Sequence, residues 1–288
     1  MQQAFQNIYN SLSGIYPEPE IKNISFLLIE KLTGFSRTEI LINKSTVFSA
    51  EQRKQLLAFV EKLKKNVPVQ YVLGETEFYG LKILVNESVL IPRPETEELV
   101  EWVIIENNGA YSQRILDVGT GSGCIALALK HELPSAEITA FDISAKALET
   151  AKNNAEQNNL NIDFAQINII EENDFSEKWD VIVSNPPYIP EKEKINMHKN
   201  VLLHEPALAL FVPDEAPLLF YEKIAYFAFK HLNENGKLYF EIHFDSGEKI
   251  VELLQNLNFK NIEIRKDIAG KDRMVKAEFN IQHSSFEV

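Results

Sequence analysis

Cysteine occurs once in the 288 residues, as Cys124, so no intrachain disulfide can staple the fold. That usage fits a reducing compartment, and a cytoplasmic location is expected. No stretch approaches the roughly 18 consecutive apolar residues of a spanning helix, so no membrane partner is expected. The opening Met1-Gln2-Gln3-Ala4-Phe5-Gln6-Asn7 lacks both the basic region and the apolar stretch of a signal peptide. The 6 histidines are scattered at positions 131, 198, 204, 231, 243 and 283, with no His-Glu-x-x-His and no Cys-His spacing, so no metal is expected. Positive charge is scarce as well: 29 Lys and Arg stand against 42 Asp and Glu, a net charge of −13. Proteins that grip nucleic acid through its phosphates carry a basic face, so no stable nucleic-acid partner is expected, although Lys62, Lys64 and Lys65 could form a local basic patch.

What remains is an ordinary globular composition, 45% hydrophobic and 25% charged, at a length that suits two domains. From about Gln2 to Lys65 the pattern is helical. Ile21, Ile24, Leu27, Leu28 and Leu32 recur at three- and four-residue steps until Gly34. Ser49 or Ala50 opens a second run, with Leu56, Leu57, Val60 and Leu63 on one face. Residues 70–91 change character. Tyr71, Val72, Phe78, Tyr79, Leu81, Ile83 and Val85, broken by Gly74, Gly80 and Asn86, predict a hairpin or pair of strands. Pro94, with Glu95, Glu97 and Glu98, then predicts a helix N-terminus.

From Arg114 onward strands alternate with helices. The predicted strands are 114–118, 137–142, 162–167, 179–184 and 237–242, with helices over 125–131, 145–158 and 218–231. Two late strands, 261–266 and 273–279, are joined through Gly270 with too little chain for a crossover, so they should pair antiparallel. Seven strands with this alternation predict an α/β, Rossmann-like seven-stranded sheet, mostly parallel, behind a small N-terminal helical domain. The boundaries read as 1–67 helical, 68–92 a β-hairpin linker, and 93–288 the α/β domain.

The first strand of that domain runs into Gly119-Thr120-Gly121-Ser122-Gly123. Alternating glycines let the backbone turn sharply and approach a ligand, and the next helix offers unpaired N–H groups. The second strand ends in Asp142, where nucleotide folds place an acid for ribose hydroxyls. The loop reads G-x-G-x-G rather than G-x-G-x-x-G, so no pyrophosphate is implied. Taken alone, the glycines could be only a tight connection; Asp142 is what makes them a site. Cys124, just after the loop, can be read as a nucleophile or as a small core residue.

The fourth strand delivers Asn185-Pro186-Pro187-Tyr188 at its carboxyl end, where a second substrate could meet the first. The Asn185 side-chain oxygen can accept one hydrogen of an –NH2 group and the Pro186 carbonyl the other. Two prolines stiffen the loop, and Tyr188 offers a flat face to a planar acceptor. Holding both hydrogens would aim the nitrogen lone pair at an electrophilic methyl and stabilise the charge that develops on nitrogen, without a strong base. A glutamine amide and an exocyclic base amine both fit.

With these motifs the chain resembles the bacterial release factor glutamine methyltransferases, over about residues 68–280. The likeness includes Pro68-Val69-Gln70-Tyr71-Val72-Leu73-Gly74, Leu90-Ile91-Pro92-Arg93-Pro94-Glu95-Thr96-Glu97, Glu205-Pro206-Ala207-Leu208-Ala209-Leu210 and Lys266-Asp267-Ile268-Ala269-Gly270-Lys271-Asp272-Arg273. Asn-Pro-Pro-Tyr is shared with adenine methyltransferases; the Ile-Pro-Arg-Pro-Glu-Thr and Glu-Pro-x-x-Ala-Leu segments point more narrowly. The resemblance implies S-adenosyl-L-methionine as cofactor, held by Gly119 to Gly123, Asp142 and Asn185. It implies class 1 peptide chain release factors as partners, with Asn185 to Tyr188 holding the glutamine of a Gly-Gly-Gln loop. After the third strand the family pattern is Ser-Asp and then a bulky apolar residue, near the adenine. Here the stretch is Ile167-Asn168-Ile169, which leaves Asn168 as an uncharged acceptor and Ile169 as the apolar contact. Glu241-Ile242-His243 lacks the glycine expected after it and carries no assignment.

Overall fold

The computed structural model describes residues 1–109, 113–171 and 175–280; His283 and the end of the expected 93–288 domain lie outside the described residues. The chain forms two compact units, Met1–Glu75 with Met197–His204, and Thr76–Asn196 with Glu205–Val288.

The first unit holds α1 (Gln2–Leu12), α2 (Glu18–Thr33), α3 (Arg37–Ile42), α4 (Ala50–Leu63) and α5 (Val69–Leu73). Gly34 ends α2 in the left-handed conformation at φ 71°, a geometry that costs a residue with Cβ. Ser49 and Gln52 form a reciprocal capping box at the start of α4. Ile21, Ile24 and Leu28 are buried with Leu56, Val60 and Leu63. Leu27 and Leu57, counted in the two stripes, are 36% and 66% exposed. At 3.6 residues per turn they sit about 90° off the centres of the buried faces.

The strand reading of 70–91 needs one correction. Tyr71 and Val72 lie in α5, which Gly74 closes at φ 76°. Val72 packs into the helical core, and that burial overrides its β preference. Pairing begins only with β1 (Glu75–Phe78) and β2 (Leu81–Leu84).

The second unit continues with α6 (Pro94–Asn107), β3 (Arg114–Val118), α7 (Cys124–Glu132), β4 (Glu137–Asp142), α8 (Ala145–Gln157), β5 (Asp163–Gln166), β6 (Trp179–Ser184) and β7 (Ile189–Pro190). After α9 (Lys199–His204), which belongs to the first unit, come β8 (Phe211–Val212), α10 (Leu219–His231), β9 (Leu232–Glu241), α11 (Gly247–Asn256), β10 (Lys260–Lys266) and β11 (Asp272–Glu278). The main sheet has seven strands in the order β10-β11-β9-β6-β3-β4-β5. β9, β6, β3, β4 and β5 pair parallel, and β11 pairs antiparallel with both neighbours. Leu116, Val118, Ile182, Leu238 and Phe240 belong to its buried core. The fifth parallel strand starts at Leu232, five residues ahead of the expected 237.

Glu106 near the end of α6 accepts Lys276 Nζ at 2.8 and 3.0 Å, Trp102 Nε1 at 2.9 Å and Tyr239 Oη at 3.1 Å. It ties the helix to β9 and β11. No helix among the described residues is long and apolar enough to cross a membrane.

Candidate active site

Register places the site. The chain leaves β3 for β4 on one side and returns to β6 on the other, so the strand order reverses at β3. Ligands bind at the carboxyl ends of strands at such a point. Val118 is paired with Phe141 of β4 and with Ser184 of β6. The next residue on each strand is therefore Gly119, Asp142 and Asn185, side by side.

The loop after β3 is anchored from below. Gly119 and Thr120 donate their N–H groups to the Phe141 carbonyl at 2.8 and 2.9 Å, and Gly121 donates to Asp142 Oδ2 at 2.8 Å. Ser144 donates its N–H to Asp142 Oδ1 at 2.8 Å. Burial raises the Asp142 carboxyl above its ordinary value, against the pull of these N–H groups. The three glycines serve different ends. A Cβ at Gly119 or Gly121 would meet nothing within 4 Å, so both leave open space for a ligand. A Cβ at Gly123 would stand 2.7 Å from Leu127 Cδ1 and 3.1 Å from Ala151 Cβ, so Gly123 serves the packing of α7 on α8.

A cleft opens over these strand tips, lined by Gly119, Gly121, Asp142, Asn168, Ile169, Asn185, Pro186 and Pro187, with Leu90, Ile143, Pro206 and Phe220 among the remaining walls. Thr120, Ser122, Gly123 and Tyr188 are not among its lining residues. Thr120 Oγ1 donates to Asp117 Oδ2 at 2.6 Å beneath the loop, and Ser122 is buried. Burial pushes the Asp117 carboxyl up to about 7. Cys124 is a core residue of α7: burial pushes its thiol up to about 12, which leaves no reactive thiolate. At the adenine end expected by analogy, Asn168 Oδ1 accepts the Ile170 N–H at 3.1 Å and its Nδ2 donates to Glu171 at 2.8 Å.

The acceptor loop is held from behind. Asn185 Nδ2 donates to Thr96 Oγ1 at 3.1 Å, and Thr96 Oγ1 donates to Glu241 Oε2 at 2.6 Å. Tyr188 Oη donates to Glu241 Oε1 at 3.1 Å. Burial and the adjacent Glu241 charge push the Tyr188 phenol well above its usual range. No described residue donates a hydrogen bond to Asn185 Oδ1 or to the Pro186 carbonyl.

Sequence reasoning missed this support. The sequence marks Thr96 only within a family segment, and Glu241 carries no assignment there. The available signal was a carboxylate between Phe240 and Ile242 at the end of a buried strand, where an unpartnered charge is costly. Glu205 was missed in the same way: its side chain accepts Arg93 Nη2 at 2.5 Å and the Ile91 N–H at 3.1 Å, linking the two narrowest segments.

A mostly parallel sheet of this order, with a glycine loop, a strand-tip carboxylate and Asn-Pro-Pro-Tyr at its reversal point, defines a Rossmann-like methyltransferase. Residues 98–212 match the methyltransferase small domain and residues 3–74 the PrmC N-terminal domain. The chain is 47% identical over 272 residues to the release factor glutamine methyltransferase of Flavobacterium psychrophilum, covering 93% of this chain and 95% of that one. It is 42% identical to that of Bacteroides thetaiotaomicron, over 96% and 99% of the two chains. It belongs to the release factor glutamine methyltransferase family. In fold it is also like a methyltransferase from Pyrococcus furiosus, with a TM-score of 0.52 at 18% identity, covering 81% of this chain and 100% of that one.

Proposed function

We propose that the chain methylates the N5 side-chain amide of the glutamine in the Gly-Gly-Gln loop of class 1 peptide chain release factors. The methyl donor is S-adenosyl-L-methionine, which supplies an electrophilic sulfonium methyl when bound. The observation that carries the reading is Asn185 itself, whose amide nitrogen is occupied by Thr96 while its oxygen takes no donor from the described residues.

The residues present fit the donor. Gly119 and Gly121 leave a cradle that a Cβ would fill, with Thr120, Ser122 and Gly123 shaping the loop around it. Asp142 stands at the cleft for ribose hydroxyls, with oxygen lone pairs beyond its two backbone bonds. Asn168 and Ile169 line the cleft where an adenine would lie. Asn185 Oδ1 and the Pro186 carbonyl would then accept the two N–H groups of the glutamine amide and stabilise positive charge developing on nitrogen. Pro187 stiffens the loop, and Tyr188 flanks the planar acceptor. The catalytic groups in this account are Asn185, Pro186 and Tyr188. The N–CH3 bond would form as the donor's S–CH3 bond breaks, the donor would leave as the neutral thioether, and the extra proton on nitrogen would pass to solvent water.

We assign residues 1–67, together with α5, to docking of the protein substrate, the remainder of 68–92 with its β1–β2 hairpin to a linker and 93–288 to the transferase, acting in the cytoplasm without a nucleic-acid or membrane partner. The alternative acceptor for Asn-Pro-Pro-Tyr is an exocyclic amine of a base extruded from its stack, which the net charge of −13 disfavours. Transfer of tritium from labelled S-adenosyl-L-methionine decides between them. Label on the release factor is expected; label on nucleic acid and none on the release factor would overturn the proposal.

A further inference from the structure

We infer that Thr96 and Glu241 fix which way round the Asn185 amide stands, which makes them positioning residues for methyl transfer. The inference rests on Asn185 as the acceptor ligand. An asparagine amide has one acceptor end and one donor end of nearly the same shape. Turned over, Asn185 would present its own NH2 to the NH2 of the substrate, and the hold on the nitrogen lone pair would be lost. The following loop residues cannot prevent this, because Pro186 and Pro187 have no N–H to mark the oxygen end.

The discrimination comes from behind the loop. Thr96 Oγ1 is 3.1 Å from Asn185 Nδ2. A hydroxyl has one proton and can face either end of an amide, so Thr96 alone would not choose. Glu241 chooses for it. This carboxylate is 1% exposed and, when ionised, accepts only. The single Thr96 proton goes to Glu241 Oε2 at 2.6 Å, and only lone pairs remain toward Asn185. The amide must then offer NH2 to Thr96 and turn its oxygen the other way. The second carboxylate oxygen takes the Tyr188 hydroxyl at 3.1 Å, so one carboxylate holds both ends of the Asn185–Tyr188 loop.

Each member is placed by regular structure. Thr96 sits in the first turn of α6. Ser184, just before the loop, is in register with Phe240, just before Glu241. Burial raises the Glu241 carboxyl above its ordinary value, against the pull of the Thr96 and Tyr188 hydrogen bonds and of the Arg273 guanidinium, itself held by Asp267 at 3.1 Å.

Two substitutions in the full chain test this. Thr96→Val removes the hydroxyl at nearly constant shape, and Thr96→Ser keeps it. With a purified release factor as substrate, Thr96→Val should lower kcat about tenfold or more, and Thr96→Ser should restore it to within about threefold. KM for the release factor, S-adenosyl-L-methionine affinity by calorimetry and Tm should stay near wild type in both. A kcat at wild-type level in Thr96→Val, beside an inactive Asn185→Ala, overturns the inference and leaves the acceptor reading standing. An active Asn185→Ala overturns both. Parallel losses of Tm, cofactor affinity and kcat that Thr96→Ser fails to restore reduce Thr96 to packing and also overturn the inference. Should Thr96→Val fail to fold by circular dichroism, Thr96→Ala against Thr96→Ser gives the same comparison.

Discussion

Gly121 donates its backbone N–H to Asp142 Oδ2 at 2.8 Å, so the carboxylate ending β4 also fixes the loop that follows β3. The two features that mark the donor site in the sequence are thus one mechanical unit. Asp142→Ala removes a charged acceptor and a loop anchor together. It should weaken S-adenosyl-L-methionine binding by roughly 1.5–3 kcal/mol, the value of a hydrogen bond to a charged group. Asp142→Asn, which keeps one oxygen for Gly121, should lose less. Calorimetry returning wild-type affinity for the alanine variant would contradict the assignment.

Asn185→Ala should lower kcat about 100-fold, in the range seen when one preorganised partner of a developing charge is removed. Cofactor affinity should change far less than rate. Turnover at the wild-type rate would show that the acceptor lies elsewhere.

Gly119→Ala and Gly123→Ala should separate ligand space from packing space. Both glycines have positive φ, 75° and 82°, which costs an alanine about 1 kcal/mol. At Gly123 the new methyl also strikes Leu127 and Ala151, so stability should fall by about 2–4 kcal/mol in all. At Gly119 the methyl enters the cleft, so Tm should fall little while cofactor affinity drops. Equal Tm losses in the two variants would refute this division.

Much of this was legible in the sequence. The strand-to-helix alternation and the two strand-tip motifs follow from periodicity and from residue chemistry at the carboxyl ends of strands, and all of those elements form. Legibility failed where a tertiary contact decides. Val72 has strand character and sits in a helix because it packs into the helical core. Leu27 and Leu57 are apolar but lie off their stripes. Thr96 and Glu241 are 145 residues apart, and no local pattern announces that a threonine in a helix's first turn will meet a carboxylate at the end of β9.

Glu106 provides a pH test of the packing between α6 and the sheet. Partial burial raises its carboxyl, but hydrogen bonds from Lys276 and Trp102 and the charges of Lys276 and Lys237 outweigh that and hold it at about 2. The ionised form is therefore favoured by folding. Its contribution, about 2–3 kcal/mol, is complete above the ordinary glutamate range near 4.5 and drains away as pH falls toward 2. Glu106→Gln should melt several degrees below wild type near neutral pH, with the gap narrowing below about pH 4.5 and closing only near pH 2. A gap independent of pH would rule this account out.

Cys124, the sole thiol of the chain, is sealed into α7 and held far from ionisation at physiological pH. Maleimide labelling of the folded native protein is therefore expected to be slow. A cysteine engineered onto the surface becomes a single addressable handle, and a pair of them can carry a donor and acceptor dye without first mutating the native residue away.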